Sequence, residues 1–216
     1  MENIALERQA QKIDEFRKLS KPYQKHIAGL QLTILPDVFP GGTDSELLCE
    51  TMIIRNGDLV LDVCTGNGVV ALVAAHKGAK HVIGTDLNLA AIENANLNRN
   101  QLNLKNVSFV ETDLFPTDNS RYDVITANMP YSDHPAPDKT AICFWDEGNK
   151  TLKVFFRDLK HHLKPTGKVF LSWPSFGDSK LLTRLAKEHH LHMHLVNSRT
   201  SKSSGFEYYV YEITLS

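Results

Sequence analysis

The chain lacks most of what would mark a specialised class. Its three cysteines, Cys49, Cys64 and Cys143, are odd in number, far apart and without a C-x-x-C pair. That spacing gives neither a disulfide framework nor a zinc site, and no metal is assigned. No stretch approaches the roughly 18 apolar residues of a membrane span, and the charged opening MENIALERQAQK has no apolar signal core. With a formal net charge of −1, nothing draws the chain as a whole toward nucleic acid or membrane. What remains is ordinary globular composition, 42% hydrophobic and 23% charged over 216 residues. One cytoplasmic domain with a substantial core is expected, with a small N-terminal appendage.

The most informative stretch is LVLDVCTGNGVVAL, Leu59 to Leu72. An apolar run ends at Asp62, a tight turn carries Gly66, Asn67 and Gly68, and an Ala/Val/Leu run with helical character follows. A strand that feeds a helix through such a turn presents backbone N–H groups at the helix start. Gly66 can take positive φ, and Gly68 is expected to let a ligand approach the backbone. By itself the turn also fits the dinucleotide pattern G-x-G-x-x-G/A, so an NAD(P)-binding reading stands beside the others.

From Asn56-Gly57 onward, strand and helix alternate. Strands are predicted near 59–63, 81–85, 107–111, 122–127 and 167–173, and helices near 68–77, 88–101, 149–163 and 178–189. This rhythm predicts an α/β fold with parallel strands, right-handed crossovers and helices on both faces. Two final strand-like runs, 191–198 and 206–215, are joined by a short polar loop and must be antiparallel neighbours. The whole is a three-layer, Rossmann-like, seven-stranded sheet with a reversed C-terminal hairpin. Ahead of it, a helix from Glu2 to about Ser20 shows an Ile13, Phe16, Leu19 stripe, and a short strand falls at 30–35. Lys12, Arg17, Lys18, Lys21 and Lys25 make this region basic, either as a solvated face or as a contact for RNA or an acidic protein. Thr43-x-x-Glu46 reads as a capping box opening a helix to about Ile54. The boundary between appendage, 1–40, and catalytic domain, 41–216, is placed near Pro40.

In such folds ligands sit beyond the carboxyl ends of the strands. Asp62 lies on the first strand there, Asp86 ends the second, and Asp113 follows the third. An acid at the second position can accept two ribose hydroxyls, and one at the third can read an adenine edge. Cys64, Leu87 and Leu114 flank these acids and complete the candidate cofactor set with Gly66, Asn67, Gly68 and Asn128. The fourth strand ends in Ala127-Asn128-Met129-Pro130-Tyr131. A planar nitrogen has a delocalised lone pair and is a poor nucleophile. An Asn oxygen and a neighbouring carbonyl can accept its N–H bonds, aim the lone pair and stabilise developing positive charge. Asn128, Pro130 and Tyr131 are the candidate catalytic residues.

Asp62, the glycine turn and Asp86 resemble motif I and the following acid of class I S-adenosylmethionine (SAM) methyltransferases. Asn128 to Tyr131 resembles the N-P-P-Y motif of enzymes that methylate planar amide or amine nitrogens, with Met129 in place of the first proline. Over about 36–216 the chain is similar to the HemK family of glutamine methyltransferases. VFPGGTDSELLCE resembles that family's segment over the cofactor, and FWDEGNKTLKVFFRDLKHHLKPTGKVFL its later helix and strand. The resemblance implies SAM as cofactor, S-adenosylhomocysteine as product, and a methyl acceptor bearing a planar nitrogen, a protein glutamine above other proteins, nucleic acids or small molecules. An O- or small-molecule methyltransferase on the same core is the alternative, with His134 as its base. The loop from Ser132 to Glu147, with Phe144 and Trp145, is expected to be a lid or substrate wall. His190, His192 and His194 are expected to share one solvated strand face, and His161-His162 sit near a helix C-terminus.

Overall fold

A computed structural model of the chain describes residues 2–138 and 140–216. A first helix α1 (Glu2–Arg17) is followed by a hairpin of β1 (Tyr23–Ile27) and β2 (Leu30–Ile34), then helix α2 (Thr43–Thr51). Next come β3 (Leu59–Val63), α3 (Val69–His76), β4 (His81–Asp86), α4 (Leu89–Gln101), β5 (Val107–Glu111) and β6 (Tyr122–Ala127). The chain ends with α5 (Lys150–His162), β7 (Leu163–Pro174), α6 (Ser179–Glu188), β8 (Leu191–Thr200) and β9 (Glu207–Leu215). The seven-stranded sheet has the order β5-β4-β3-β6-β7-β9-β8. Strands β3 to β7 pair in parallel, while β9 runs antiparallel to both β7 and β8. The predicted architecture holds, including the reversed C-terminal hairpin. Among the described residues, no helix is long and apolar enough to cross a membrane.

Period-two alternation divides the core between the two faces of the sheet. Leu61, Val63, Ile125, Ala127, Val169 and Leu171 pack with the buried faces of α5 (Leu152, Phe155, Phe156, Leu159) and α6 (Leu181, Leu182, Leu185). On the other face Val60, Val82, Val124, Phe170 and Val210 pack with α2 and α3. Helix α3 is buried nearly all round, which explains a run as apolar as VVALVAA. The order reverses between β3 and β6, so the carboxyl ends of these strands open a crevice at the switch point.

Several local expectations change. The first helix ends at Arg17, and its buried line is Ala5, Gln9 and Ile13, one residue every turn, with Leu19 beyond the helix. A strand over Tyr23–Ile27 was not anticipated, because its side chains alternate polar and exposed. Helix α2 is capped by Gly42, not Thr43: the Gly42 N–H donates to Ser45 Oγ at 3.4 Å, and the helix stops at Thr51. The β7 strand starts four residues early, at Leu163, through an irregularity where Tyr122 pairs Leu163 and Val124 pairs Lys168.

The hairpin is tied to α4 by two buried asparagines. Asn94 accepts the Leu35 N–H at 2.8 Å and donates to the Thr33 carbonyl at 2.7 Å. Asn98 accepts the Thr33 N–H at 2.9 Å and donates to both the Thr33 and Asn67 carbonyls at 3.0 Å. Replacing Asn98 by Ala strands a buried N–H and carbonyl groups together. Asn98→Ala is therefore expected to cost about 2–4 kcal/mol in urea unfolding, whereas Asn100→Ala on the exposed face stays within about 0.5 kcal/mol.

Candidate functional site

The crevice at the carboxyl edge is lined by Asp62, Cys64, Gly66, Asn67, Asp86, Leu87, Asp113, Leu114, Asn128 and Pro130. Ten of the candidate residues thus meet in one cleft. Two do not face it. Gly68 caps α3 in a left-handed conformation (φ 87°), but a Cβ there would stand 3.0 Å from Ala95 Cβ and 3.1 Å from the Phe109 ring. Its bare backbone serves the packing of α3 against α4 and β5 rather than ligand approach. Gly66, with φ 55°, is the glycine of this turn that stands on the cleft wall. Tyr131 is buried edge-on to Phe176 (5.4 Å) and Trp173 (6.4 Å), and it lines a second, adjoining cavity.

The electrostatics of the cleft rest on two carboxylates, Asp62 buried and Asp86 half-buried. Asp62 accepts hydroxyl donation from Thr65 (2.6 Å) and Thr126 (2.7 Å), yet burial pushes its pKa up to about 6. Asp86 accepts the N–H groups of Gly66 and Asn88, each at 2.9 Å, and burial raises it as well. These bonds fix the Asp86 carboxylate and still leave one lone pair on each oxygen. Among the described residues neither carboxylate has a Lys or Arg ion-pair partner. Asp113 is exposed at the rim, and Leu114 behind it is buried at φ 58°, its carbonyl accepting the Thr85 hydroxyl at 2.5 Å. Leu87 and Ile142 are large apolar side chains on the cleft lining, left 58% and 43% exposed.

Asn128 is held by Ser45 at the start of α2: its Nδ2 donates to Ser45 Oγ at 3.2 Å. Among the described residues its Oδ1 carries no hydrogen bond, so it is free to accept. Ser45 was not singled out from the sequence, although SELLCE carries it. Its signal, a hydroxyl at the third position of a helix, reads as capping. Phe39, whose carbonyl accepts Asn67 Nδ2 at 3.1 Å, was missed for a different reason. Contacts made through backbone atoms leave no mark on residue type.

The loop after Tyr131 folds back on itself: the Ser132 N–H donates to the Phe144 carbonyl (3.3 Å), and the Asp146 N–H to the Ser132 carbonyl (2.8 Å). Ile142 and Cys143 wall the cleft, while buried Phe144 packs between Phe16 (5.9 Å) and Phe39 (5.4 Å). Lys139 of this loop lies outside the described residues. Helix α1 lies over the loop. Gln9 Oε1 accepts Ser132 Oγ (2.9 Å) and Trp145 Nε1 (3.2 Å), and Arg17 pairs with Asp138. His134 is exposed, edge-on to Trp145 at 4.6 Å, and lines neither cavity. Of the remaining histidines, His192 and His194 are exposed on β8. His162 stacks on Phe115 at 4.4 Å, and burial lowers its pKa. Among the described residues no three His, Cys, Asp or Glu side chains gather as a metal site.

Residues 54–209 match the family model described as a methyltransferase domain. A Methanocaldococcus jannaschii protein, provisionally named a protein N5-glutamine methyltransferase, is 32% identical over 167 residues, covering 74% of this chain and 84% of its own. A release factor glutamine methyltransferase of Buchnera aphidicola from Acyrthosiphon pisum is 31% identical over 112 residues, half of this chain and 40% of that one. Among solved structures, the E. cuniculi Mtq2–Trm112 complex, responsible for methylating the eRF1 termination factor, superposes with a TM-score of 0.64 at 21% identity. It covers 83% of this chain and 99% of that one, and the likeness is one of fold. The chain belongs to the methyltransferase domain family and is a SAM-dependent methyltransferase. The dinucleotide-oxidoreductase reading of the glycine turn is set aside.

The buried Asp62 makes stability depend on pH in a stated direction. A carboxyl whose pKa rises from about 3.8 unfolded to about 6 folded binds more protons when folded, so stability falls as pH rises between those values. The change is about 3 kcal/mol at most. Urea midpoints measured from pH 4 to pH 7 are expected to decline across this window, and Asp62→Asn should flatten the decline.

Proposed function

We propose that the enzyme transfers the methyl group of SAM to the side-chain amide nitrogen of a glutamine in a protein acceptor. The observation that carries this reading is Asn128. Its nitrogen is committed to Ser45, and its oxygen is left free at the edge of the cleft, ahead of Pro130. The relatives named as glutamine methyltransferases support it.

SAM fits the chemistry of the cleft: a cationic ligand meets two carboxylates, Asp62 buried and Asp86 half-buried, without a basic partner, and a ribose meets an immobilised Asp86. In this proposal Asp86 holds the ribose, Leu87 and Ile142 flank the adenine near Asp113 and Leu114, and Gly66 and Asn67 shape the wall beneath the amino-acid portion. Asp62 contributes negative charge, and Cys64 fills the wall behind it. SAM supplies an electrophilic methyl on a sulfonium. Asn128 Oδ1 and the Met129 carbonyl accept the two amide N–H bonds, which turns the nitrogen lone pair toward that methyl and favours the positive charge the nitrogen acquires. The N–C bond forms as the S–C bond breaks, and one N–H proton then passes to water. Pro130 keeps Met129 extended so that its carbonyl can take part.

His134 lies outside both cavities, and this proposal gives it no part as a base. Arg17 is paired with Asp14 and Asp138, and Lys25 donates to the Gly41 carbonyl, so the basic N-terminal region is not taken as a nucleic-acid surface. The division near Pro40 is kept in this proposal: residues 41–216 carry the methyl-transfer edge and residues 1–40 shape access for the acceptor.

Two measurements test the reading. Asn128→Ala should lower methyl transfer to a glutamine-containing release-factor peptide at least about 100-fold while SAM affinity changes little; undiminished transfer would sink the role of Asn128. Deprotonated Asp62 should favour the cationic ligand, so SAM affinity is expected to fall as pH drops from 7 toward 5, with proton release on binding near pH 6. Calorimetry in buffers of different ionisation enthalpy reads that proton, and Asp62→Asn should abolish it.

A further inference from the structure

The second cavity is not accounted for by the methyl-transfer edge. It encloses about 350 Å³ between α1, the β1–β2 hairpin, the first turn of α2 and Tyr131. Phe39 and Gly41 face both it and the cofactor cleft. Asp44 stands on its wall and is only 4% exposed. Asp44 Oδ1 accepts the Ser45 N–H (2.8 Å) and the Ser45 hydroxyl (3.4 Å). Its other oxygen, Oδ2, accepts nothing among the described residues. Lys25 lines the same cavity but spends a hydrogen on the Gly41 carbonyl at 2.6 Å and forms no ion pair with Asp44. Asp44 Oδ2 is not among the sealed, unpartnered side-chain atoms of the described residues, so it is open to a donor that enters the cavity.

Resting on the glutamine reading, we propose that Asp44 is the specificity residue of the acceptor pocket: its open oxygen takes the main-chain N–H of the acceptor glutamine whose side-chain amide meets Asn128. Two hydrogen bonds connect the two sites through Ser45, of 3.2 Å from Asn128 and 3.4 Å to Asp44. The main-chain and amide nitrogens of an extended glutamine lie about 6 Å apart, and those of asparagine about 5 Å. In this proposal the two sites are assigned to the longer side chain. The aromatic walls, Tyr131, Phe144 and Tyr208, surround the aliphatic part of the side chain.

The test uses the full chain labelled with carboxyl-13C aspartate and saturated with S-adenosylhomocysteine. N-acetyl-glutamine N-methylamide is titrated in, and the Asp44 resonance is identified by its absence in Asp44→Asn. That resonance should move and saturate, and the same compound with a methyl on its main-chain nitrogen should bind at least about tenfold more weakly, one charge-assisted hydrogen bond's worth. In Asp44→Ala the two compounds should bind alike. An Asp44 resonance that stays still at the highest soluble concentration overturns the proposal, as does an N-methyl penalty unchanged in Asp44→Ala. Methyl transfer from SAM to the same compound is followed separately. Transfer without movement of the resonance removes Asp44 and keeps the glutamine chemistry; movement without transfer keeps the pocket and removes that chemistry.

Discussion

Three asparagine side chains hold the cofactor edge to the rest of the molecule. Asn98 joins the Thr33 and Asn67 carbonyls, Asn67 reaches the Phe39 carbonyl and takes the Val69 N–H, and Asn94 completes the link to the hairpin. All three are essentially excluded from water. A buried polar network of this kind holds only if every member is satisfied. Here the condition ties a glycine turn, a helix and an N-terminal strand into one unit. The segment that carries Phe39 and Gly41 between the two cavities is anchored through it.

The sheet itself was legible because its signals are collective. Five strands with helices between most of them, followed by two strands with a short link, leave few topologies open. The acids that end β3 and β4, and the one that follows β5, were legible for the same reason: the strands put them at one edge. The N-terminal region was harder to read. The exposed strand Tyr23–Ile27 has the polar pattern of a loop, and the helix over Glu2–Arg17 buries a glutamine in its apolar line. Gln9 is buried because it bonds Ser132 and Trp145, residues more than a hundred positions away. Such a pairing has no local trace. Ser45 hid behind a capping pattern, and the backbone role of Phe39 is invisible to any reading of side chains.

The charge of the cleft is arranged by omission. Asp62, opposite Gly84, and Asp86, two residues beyond it, stand on neighbouring strands, held by hydroxyls and main-chain N–H groups, with no cation among the described residues to neutralise them. Burial then raises both, the opposite of what an ion pair would do. Folding leaves negative charge without a cation at the cleft, at some expense in stability. Function and stability pull apart at these two residues, as is common at sites prepared for a ligand.

The two glycines of the turn divide the labour unequally. Gly66 belongs to the cleft wall, but Gly68 and the distant Gly84 both face Phe109, whose ring would stand 3.1 Å and 2.5 Å from a Cβ at those positions. The aromatic ring of β5 is thus seated in the space of two missing side chains, behind the cleft rather than within it. A substitution at Gly68 that abolished ligand binding would therefore report a displaced ring and a tilted helix. The second glycine of a nucleotide-type turn can be demanded by a phenylalanine instead of by the ligand.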